Sequence, residues 1–346
     1  MKTFEKKTVK RAAILFLLLA VLIGVFHLVP RPQSVAENNF IVGKGNRPAI
    51  IAHGGGNGEF PDNTMEAYYN AFHIDPRVIF ETDVNMTKDG VIILCHDDTL
   101  DLTSNVSGSV SDWTYSDLLE QEVNFNFYNP VLDGFKISDE LVPYKTFDNR
   151  TVTPLDVTYP PGVTPKHETK FLVTTLEELI TAFPNNAILV DIKQFDETGM
   201  RALELVLDMM ERLDAQYNTY SRMVLASFNP EIFEKIIEYN AADPRILYSP
   251  DYIGVLKLYA THWFGLDFLI HEPAAVMSIP VNHGPLLLNF RHFINAAHRH
   301  NIAVNYWTIN DEKTMRNLAK KSADGIITDR PTLLKEILDE LFGPEH

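Results

Sequence analysis

Residues 78–100 read VIFETDVNMTKDGVIILCHDDTL, and in this stretch two apolar, β-rich runs flank one tight turn. The runs Val78–Asp83 and Val91–Cys95 predict strands, and the segment TKDG between them predicts a hairpin turn. Because alternate side chains of a strand lie on the same face, Glu81 and Asp83 are expected to project together. The stretch therefore places a pair of carboxylates near the end of a strand, directly before a hairpin.

Short apolar runs alternate with amphipathic helical patterns from about residue 47 to residue 342. This alternation is typical of an α/β fold with a mostly parallel sheet, and the number of units predicts closure into a (β/α)₈ TIM barrel. The hairpin strand Val91–Cys95 is then one strand more than the barrel needs. Seven further strands are predicted at Ala49–Ala52, Ala187–Asp191, Met223–Ser227, Arg245–Tyr248, Phe268–Ile270, Ala303–Trp307 and Gly325–Thr328.

Residues 102–170 fit neither the strand pattern nor the helix pattern, since the segment is rich in Asp, Asn, Thr and Pro. It is also far longer than the usual connection between a strand and a helix. We interpret it as an insertion in the barrel domain, beside the face that carries the active site.

The N-terminus combines a basic flank with an apolar run. Residues 1–11 hold five Lys or Arg and one Glu, whereas residues 12–30 hold no Asp, Glu, Lys or Arg. A helix over the 18 residues Ala12–Val29 reaches roughly 27 Å, close to the thickness of a bilayer core. The pattern predicts a single-pass transmembrane helix in the cell membrane, with the basic flank in the cytoplasm. Residues 31–46 are then a linker, and the barrel lies on the extracytoplasmic side.

A cleaved signal peptide is the alternative for the N-terminus. The residues Ser34-Val35-Ala36 form a small-x-Ala pattern, and cleavage there would release a secreted domain. We favour the anchor, because the apolar core of a signal peptide usually spans only about 7–15 residues. Both interpretations export the barrel.

The chain is acidic, with 30 Lys and Arg against 46 Asp and Glu and a formal net charge of −16. This balance argues against nucleic-acid binding, which depends on clustered Lys and Arg. Cys95 is the only cysteine, so an intrachain disulfide and a zinc site built from thiolates are both excluded. The composition leaves oligomeric state open.

Chemically active side chains follow the predicted strand ends, where a TIM barrel collects its functional groups. Three carboxylates are a donor set suited to Mg²⁺ or Ca²⁺, and two histidines can transfer protons near neutral pH. Each residue alone is weak evidence, since a lone carboxylate pair is usually solvated and a lone histidine is usually structural. The joint arrangement carries the prediction, and its members are His53, Glu81, Asp83, His96, Asp191 and Lys193.

Eight segments of the chain together resemble one known family. In chain order they are IIAHGG, PDNTMEAY, FETDVNMTKDGVIILCHDDTL, TTLEELI, LVDIK, SFNP, VNYWTIND and DGIITDRP. They are similar to the glycerophosphodiester phosphodiesterase family over about residues 49–335, and the string from Glu81 to Leu100 is the most specific part. The resemblance implies a TIM barrel of the phospholipase-C-like type, which cleaves glycerophosphodiesters to an alcohol and glycerol phosphate.

The resemblance also implies a role for each site residue. Glu81, Asp83 and Asp191 would hold one divalent cation, Mg²⁺ or Ca²⁺, which polarises the phosphate. His53 and His96 would be the acid and base, in an order that the sequence leaves open. Lys193 would stabilise the negative charge that develops on a phosphate oxygen, and Trp307 would form an apolar wall.

Three positions depart from the family pattern. Gly54 replaces the arginine of the HRG segment, Asp62 replaces the glutamate of PENT, and Asp191 replaces a glutamate. The missing arginine removes a bidentate phosphate contact, which lysine does not fully reproduce. The substitute cations considered from the sequence are Arg222, Lys145 and Lys170.

Three functions follow as expectations. The first is a membrane-anchored, metal-dependent hydrolase of small glycerophosphodiesters. The second keeps the fold and the reaction but acts on lysophospholipids or on phosphodiester-linked envelope polymers, because the anchor holds the site near lipid headgroups. The third is an anchored phosphodiester-binding protein with weak catalysis, which the loss of the arginine at Gly54 would explain.

Overall fold

The chain folds around a barrel of eight parallel strands. The computed structural model describes residues 2–35, 38–42, 45–128, 131–132, 136–137 and 141–344. The barrel strands are β1 (Ala49–Ala52), β2 (Ile79–Met86), β3 (Ile188–Ile192), β4 (Met223–Ala226), β5 (Leu247–Tyr248), β6 (Val276–Pro280), β7 (Ala303–Trp307) and β8 (Gly325–Thr328).

Neighbouring strands pair in the order β5-β4-β3-β2-β1-β8-β7-β6. The edges β5 and β6 approach each other through the Ala275 amide, which donates to the Tyr248 carbonyl at 3.0 Å, and through the Ser278 amide, which donates to Ser249 Oγ at 3.3 Å. The barrel is thus nearly closed, and the predicted TIM-barrel fold is confirmed. The predicted hairpin is confirmed as well, since Ile92–Leu94 pairs antiparallel with β2.

Apolar side chains fill both sides of the strand layer, as expected for parallel strands that are covered on both faces. The interior cluster includes Ile51 from β1, Val224 from β4 and Ile327 from β8, and Phe40 packs against it from the segment before β1. A larger cluster fills the space between the strands and the surrounding helices. This packing makes the barrel a solid support for the loops at its ends.

Polar residues before the helices set where several of them begin. The side chain of Thr64 accepts the Ala67 amide, and Thr175 forms a capping box with Glu178.

The helices are α1 (Lys2–Leu28), α2 (Met65–Ile74), α3 (Tyr115–Glu120), α4 (Leu176–Ala182), α5 (Asp196–Tyr217), α6 (Thr219–Arg222), α7 (Pro230–Ala242), α8 (Tyr252–His262), α9 (Arg291–Arg299), α10 (Glu312–Lys320) and α11 (Pro331–Phe342).

One predicted strand is wrong. The segment Phe268–Ile270 is not part of the barrel, since Leu266–Leu269 is a 3₁₀ helix, and the sixth strand is instead Val276–Pro280. The apolar run packs against α1, where the rings of Phe268 and Phe26 lie 5.8 Å apart. Its hydrophobicity therefore serves a contact with the N-terminal helix rather than strand pairing.

The segment predicted as a linker, residues 31–46, contacts the barrel through its described residues. We call the end where the strands begin the floor and the opposite end the mouth. At the floor, the Ser34 amide donates to the His300 carbonyl at 2.8 Å, and Asn38 Nδ2 donates to the Ala275 carbonyl at 2.6 Å. The chain between α1 and β1 is thereby fastened to the floor.

The segment 102–170 reaches the loop that follows β1. The Phe147 amide donates to the Gly58 carbonyl at 2.8 Å, and the Tyr144 hydroxyl donates to the Asn57 carbonyl. These contacts bring part of the segment beside the mouth, where the polar strand ends gather.

Candidate active site

The turn after β1 presents His53 and brings its own backbone toward β2. Gly54 has φ +53°, and its amide donates to Glu81 Oε2 at 3.1 Å. A Cβ at Gly54 would lie 2.8 Å from the Cβ of Asp62, closer than side chains tolerate. The backbone conformation and the close approach both favour glycine here.

The strand β2 carries Glu81 and Asp83 to the mouth, and Asn63 holds Asp83 from the adjacent loop. Asn63 Nδ2 donates to Asp83 Oδ2 at 3.2 Å. Asn63 Oδ1 accepts the Asp83 amide at 3.2 Å and the Thr82 hydroxyl at 3.0 Å. Both ends of the Asn63 amide are therefore used to fix the position of Asp83.

Strand register aligns two of the carboxylates. Asp83 on β2 is the direct partner of Asp191 on β3 in the parallel ladder. The ammonium of Lys193 lies 3.2 Å from Asp83 Oδ1 and 3.1 Å from Asp191 Oδ2. Lys193 thus links the two carboxylates, and its charge also lies 5.8 Å from the ring centre of Phe228.

Each predicted histidine contacts a carboxylate through Nδ1. His53 Nδ1 lies 2.6 Å from Asp329 Oδ1, and its Nε2 lies 4.0 Å from Glu81 Oε2. His96 Nδ1 lies 3.1 Å from Asp97 Oδ1, and this ring is about half exposed. In both histidines the Nε2 atom is left available to exchange a proton.

The local charges perturb one another strongly. Burial and repulsion from Asp83 raise the pKa of Glu81 to about 8, and burial raises the pKa of Asp191 to about 6. Burial disfavours the charged form of His53, but Glu81 and Asp329 outweigh it and raise the pKa of His53 to about 10. The hydrogen bond to Asp97 raises the pKa of His96. The raised pKa values of these carboxyl groups and histidines indicate an excess of negative charge at the mouth.

The donor set fits a divalent cation. Asp191 Oδ1 is buried and has no hydrogen-bond partner, although it can accept. Glu81, Asp83 and Asp191 supply oxygen ligands of the kind that a divalent cation prefers, and a bound cation would offset the repulsion among them. Among the residues that the structure describes, no three His, Cys, Asp or Glu side chains meet at ligating distance, and Lys193 pairs with both Asp83 and Asp191.

All six predicted residues lie at the mouth, and two further residues support them. Asn63 and Asp329 were not assigned roles from the sequence, although both lie in the segments quoted for the family resemblance. Asn310 Nδ2 donates to Asp329 Oδ2 at 2.6 Å, which orients the carboxylate toward His53. The position of Asp329 directly after β8, at a strand end, was the signal that could have identified it.

None of the three substitute cations is engaged at the mouth. Arg222 lies at the floor, where its guanidinium donates to the carbonyls of Phe183, Asn186, Ile180 and Tyr217. Lys145 contacts Thr151, and Lys170 contacts Glu122, both within the insertion. The expectation for Arg222 is wrong, because a buried guanidinium at the floor is fully occupied by backbone carbonyls. Trp307 does lie at a strand end, with its ring 6.2 Å from that of Phe228.

An eight-stranded parallel barrel with polar side chains at the carboxyl ends of its strands defines a TIM-barrel enzyme. The model of the glycerophosphoryl diester phosphodiesterase family matches residues 53–333. The chain belongs to this family and is a phosphoric diester hydrolase.

Curated relatives cover most of the chain at low identity. The human lysophospholipase D GDPD1 is 24% identical over 83% of this chain and 85% of its own length. A glycerophosphodiester phosphodiesterase of Caldanaerobacter subterraneus is 23% identical over 82% of this chain and 95% of its own length.

Solved structures share the fold. A glycerophosphoryl diester phosphodiesterase from Parabacteroides distasonis has a TM-score of 0.57 and 20% identity, and the match covers 87% of this chain and 90% of that one. A phosphodiesterase from Oleispira antarctica, solved with the product sn-glycerol-3-phosphate, has a TM-score of 0.57 and 18% identity over 85% of this chain and 97% of that one.

Proposed function

We propose that the protein hydrolyses glycerophosphodiesters to an alcohol and glycerol phosphate, with one divalent cation, Mg²⁺ or Ca²⁺. The convergence of His53, three carboxylates and Lys193 on the ends of β1, β2 and β3 is the observation that carries this proposal. A phosphodiester needs its negative charge offset before a nucleophile can approach, and Lys193 together with a bound cation would supply that positive charge.

Glu81, Asp83 and Asp191 are the residues that would hold the cation. When bound, the cation would neutralise the phosphate and polarise it toward attack. Asp191 Oδ1 offers a free buried acceptor for this purpose, and the Gly54 amide orients Glu81. Burial and repulsion from Asp83 raise the pKa of Glu81, and a bound cation would offset the repulsion.

His53 and His96 are the proton-transfer groups in this proposal. A bound cation would offset the negative charge of Glu81 that raises the pKa of His53, and a neutral His53 with Nδ1–H directed at Asp329 would keep the lone pair of Nε2 for accepting a proton. His96 has the corresponding arrangement with Asp97 on a more exposed ring. One histidine activates the nucleophile, and the other protonates the departing alkoxide.

Lys193 completes the set. Its ammonium is held at the mouth by Asp83 and Asp191, and these carboxylates raise its pKa well above the usual range against the effect of burial. A cation fixed in this way stabilises charge on a phosphate oxygen as it develops. In the family pattern an arginine occupies the position of Gly54 and contacts the phosphate. In this proposal Lys193 and the bound metal together take over that contact.

The direct test is a chelation and re-addition assay. The purified full chain should hydrolyse a small glycerophosphodiester, lose activity in EDTA and regain it with Mg²⁺ or Ca²⁺. Full activity in the chelator would contradict the metal mechanism. Absence of turnover in the wild type, with binding of a phosphodiester retained, would favour the binding-protein alternative.

A lysophospholipid is the second candidate substrate. The human relative is named a lysophospholipase D, and Phe228 presents an exposed ring beside Lys193 that could contact an apolar group. A panel of deacylated and acylated diesters separates the candidates. Activity confined to the soluble diesters would count against a lipid substrate.

We also propose that α1 anchors the enzyme in the cell membrane with the barrel on the extracytoplasmic side. Within α1, Val9–Leu28 is long and apolar enough to cross a bilayer, and nearly all of it is exposed. The basic residues 1–11 favour a cytoplasmic N-terminus. Resistance of the protein to extraction from membranes by carbonate tests the anchor, and release of a shortened soluble domain would favour a signal peptide.

A further inference from the structure

The last turn of α1 packs against the barrel floor. A Cβ at Gly265 would lie 2.8 Å from the backbone nitrogen of His27, so this loop touches the helix backbone directly. Phe26 contacts Phe268 in the same loop, and Arg31 forms an ion pair with Asp267 at 2.7 Å in which both side chains are almost fully buried. The helix therefore leaves the barrel from a defined place on the floor.

Three large apolar side chains stand exposed around this contact. Trp263, Phe264 and Leu269 are 47%, 54% and 68% exposed, and we call them the floor patch. Trp263 is held by stacking on His292, with ring centres 5.4 Å apart, and His292 in turn contacts His27 of α1. The patch is thus built onto the end of the helix rather than scattered over the surface.

The position of the floor patch along the axis of α1 can be read from the residues of α1 that contact the neighbouring loop. Gly265 contacts α1 at Phe26 and His27, and the apolar span ends at Leu28. Two residues of helix correspond to about 3 Å along its axis, so the contact lies just inside the end of the span. If α1 crosses a bilayer, the floor patch lies at the boundary between lipid and water, where Trp and other aromatic side chains are favoured.

We propose that the floor patch rests on the surface of the bilayer that α1 spans, so that the active-site mouth opens away from this membrane. The inference rests on the proposed anchoring and deepens the proposed function. The strand β7 runs over five residues from Ala303 near the floor to Trp307 at the mouth, and at the usual tilt its two ends are separated by roughly 10 Å.

This orientation selects a substrate class. The phosphodiester of a lysophospholipid stays within the headgroup layer while its acyl chain is inserted, so it lies at the floor rather than at the mouth. A deacylated, water-soluble diester reaches the mouth by diffusion. The enzyme therefore acts on soluble glycerophosphodiesters in preference to lysophospholipids resident in its own membrane.

The three tryptophans provide a test that does not depend on activity. Trp263 marks the floor, Trp307 marks the mouth, and Trp113 is the only other tryptophan in the sequence. The full chain is reconstituted into phosphatidylcholine–phosphatidylglycerol vesicles with or without bromine on the acyl chains. One variant, Trp113→Phe with Trp307→Phe, retains Trp263, and its matched partner, Trp113→Phe with Trp263→Phe, retains Trp307.

Brominated lipid should remove most of the emission of Trp263 and leave the emission of Trp307 unchanged. Quenching of Trp307, or full emission from Trp263, would overturn the orientation. Vesicle flotation distinguishes these outcomes from failure of the anchor. A chain that does not float with the vesicles is not anchored, and this result would contradict both the anchoring proposal and the proposed orientation.

Kinetics test the substrate class in the same vesicles. The rate on a soluble diester should be equal in detergent micelles and in vesicles, whereas the rate on a lysophospholipid should fall on transfer from micelles to vesicles. An undiminished lysophospholipid rate in vesicles would overturn the preference. Inactivity on both substrates in micelles would contradict the proposed reaction while the fluorescence result still decides the orientation.

Discussion

The floor and the mouth of this barrel both bury charged groups, but they balance them in opposite ways. At the floor, Asp267 is surrounded by Arg31 at 2.7 Å, Arg299 at 3.1 Å and His300 at 3.4 Å. Although burial opposes ionisation, these groups hold the pKa of Asp267 well below its usual range, and Arg31 and Arg299 donate hydrogen bonds to its carboxylate. Positive groups outnumber the carboxylate, so its charge is stabilised by the fold.

At the mouth, carboxylates outnumber the cations. Burial and mutual repulsion raise the pKa values of Glu81 and Asp191, and one oxygen of Asp191 remains without a partner. The contrast shows that the burial of a charged side chain does not by itself distinguish a structural role from a functional one. A buried charge with balancing partners is a structural feature, whereas an unbalanced buried cluster marks a candidate functional site.

The largest expected effect is on turnover at the mouth. Replacing His53 with Ala should lower kcat by about 10²- to 10⁴-fold, because a positioned proton-transfer group contributes that much. Thermal unfolding should change little, since His53 is partly exposed at a strand end. Rates on a glycerophosphodiester and melting curves of the same preparation check both expectations.

His73 provides the matched control for this change, because it is an exposed histidine on α2. His73→Ala should leave both kcat and thermal unfolding at wild-type values. Retention of full kcat in His53→Ala would remove His53 from the proposed chemistry, and His96→Ala would then have to account for it.

The next effect is on stability at the floor. Asp267→Asn leaves Arg31 and Arg299 without their buried carboxylate partner, which should lower the free energy of unfolding by about 3–5 kcal/mol. The kcat of the folded fraction should not change. Chemical denaturation of the full chain in a mild detergent, with exposed Asp208→Asn as the control, measures the difference.

The same pair of proteins should show a pH signature. The pKa of folded Asp267 lies below the ordinary value of 3.8, so the ionised carboxylate stabilises the fold above that pH. This stabilisation is lost as the pH falls below about 3.8. The stability gap between wild type and Asp267→Asn should therefore stay constant above about pH 5 and narrow as the pH falls below about 3.8, and a gap that stays constant at lower pH would contradict the assignment.

A smaller effect is expected from the support of His53. Asp329→Asn keeps an acceptor for His53 Nδ1 but removes the charge, and we expect kcat to fall about 10- to 100-fold with little change in KM. Asp311→Asn is the control, because it makes the same change at the start of α10, where Asp and Asn are equally good caps. An equal loss in both variants would show that Asp329 acts through stability alone.

The smallest expected effect concerns Gly54. Gly54→Ala should cost about 1–2 kcal/mol of stability from its left-handed backbone conformation. The contact with Asp62 adds to this cost, and displacement of the Gly54 amide from Glu81 should lower activity. Gly162→Ala shares the positive φ but has open space around it, so it should show the backbone cost alone.

Much of the fold was predictable because hydrophobic periodicity is a local property. The predicted β1, β7 and β8 agree with the structure at both ends, and the hairpin after β2 is present. The exception is the sixth strand, where the apolar run Phe268–Ile270 suggested pairing. That run packs on α1. Only the folded chain shows whether an apolar run pairs as a barrel strand or packs against another helix.

In the candidate site, too, residues that depend on local sequence patterns were predictable, and residues that depend on contacts between distant segments were not. Residues at strand ends were predictable, since strand periodicity and barrel topology together place His53, Glu81, Asp83 and Asp191 at one end. Asn63 and Asp329 were missed because Asn and Asp in loops resemble ordinary turn residues. Their importance comes from contacts with Asp83 and His53, which lie 20 and 276 positions away in the chain.

The sequence by itself determined the barrel, the apolar N-terminal helix, the acidic character of the chain and the six residues of the mouth, because each depends on composition or spacing along the chain. Only the tertiary structure decided that Lys193 bridges Asp83 and Asp191, that Arg222 is occupied at the floor, and that α1 ends at the floor. These facts depend on which distant segments meet in space, and side-chain burial and charge balance are defined only after they have met.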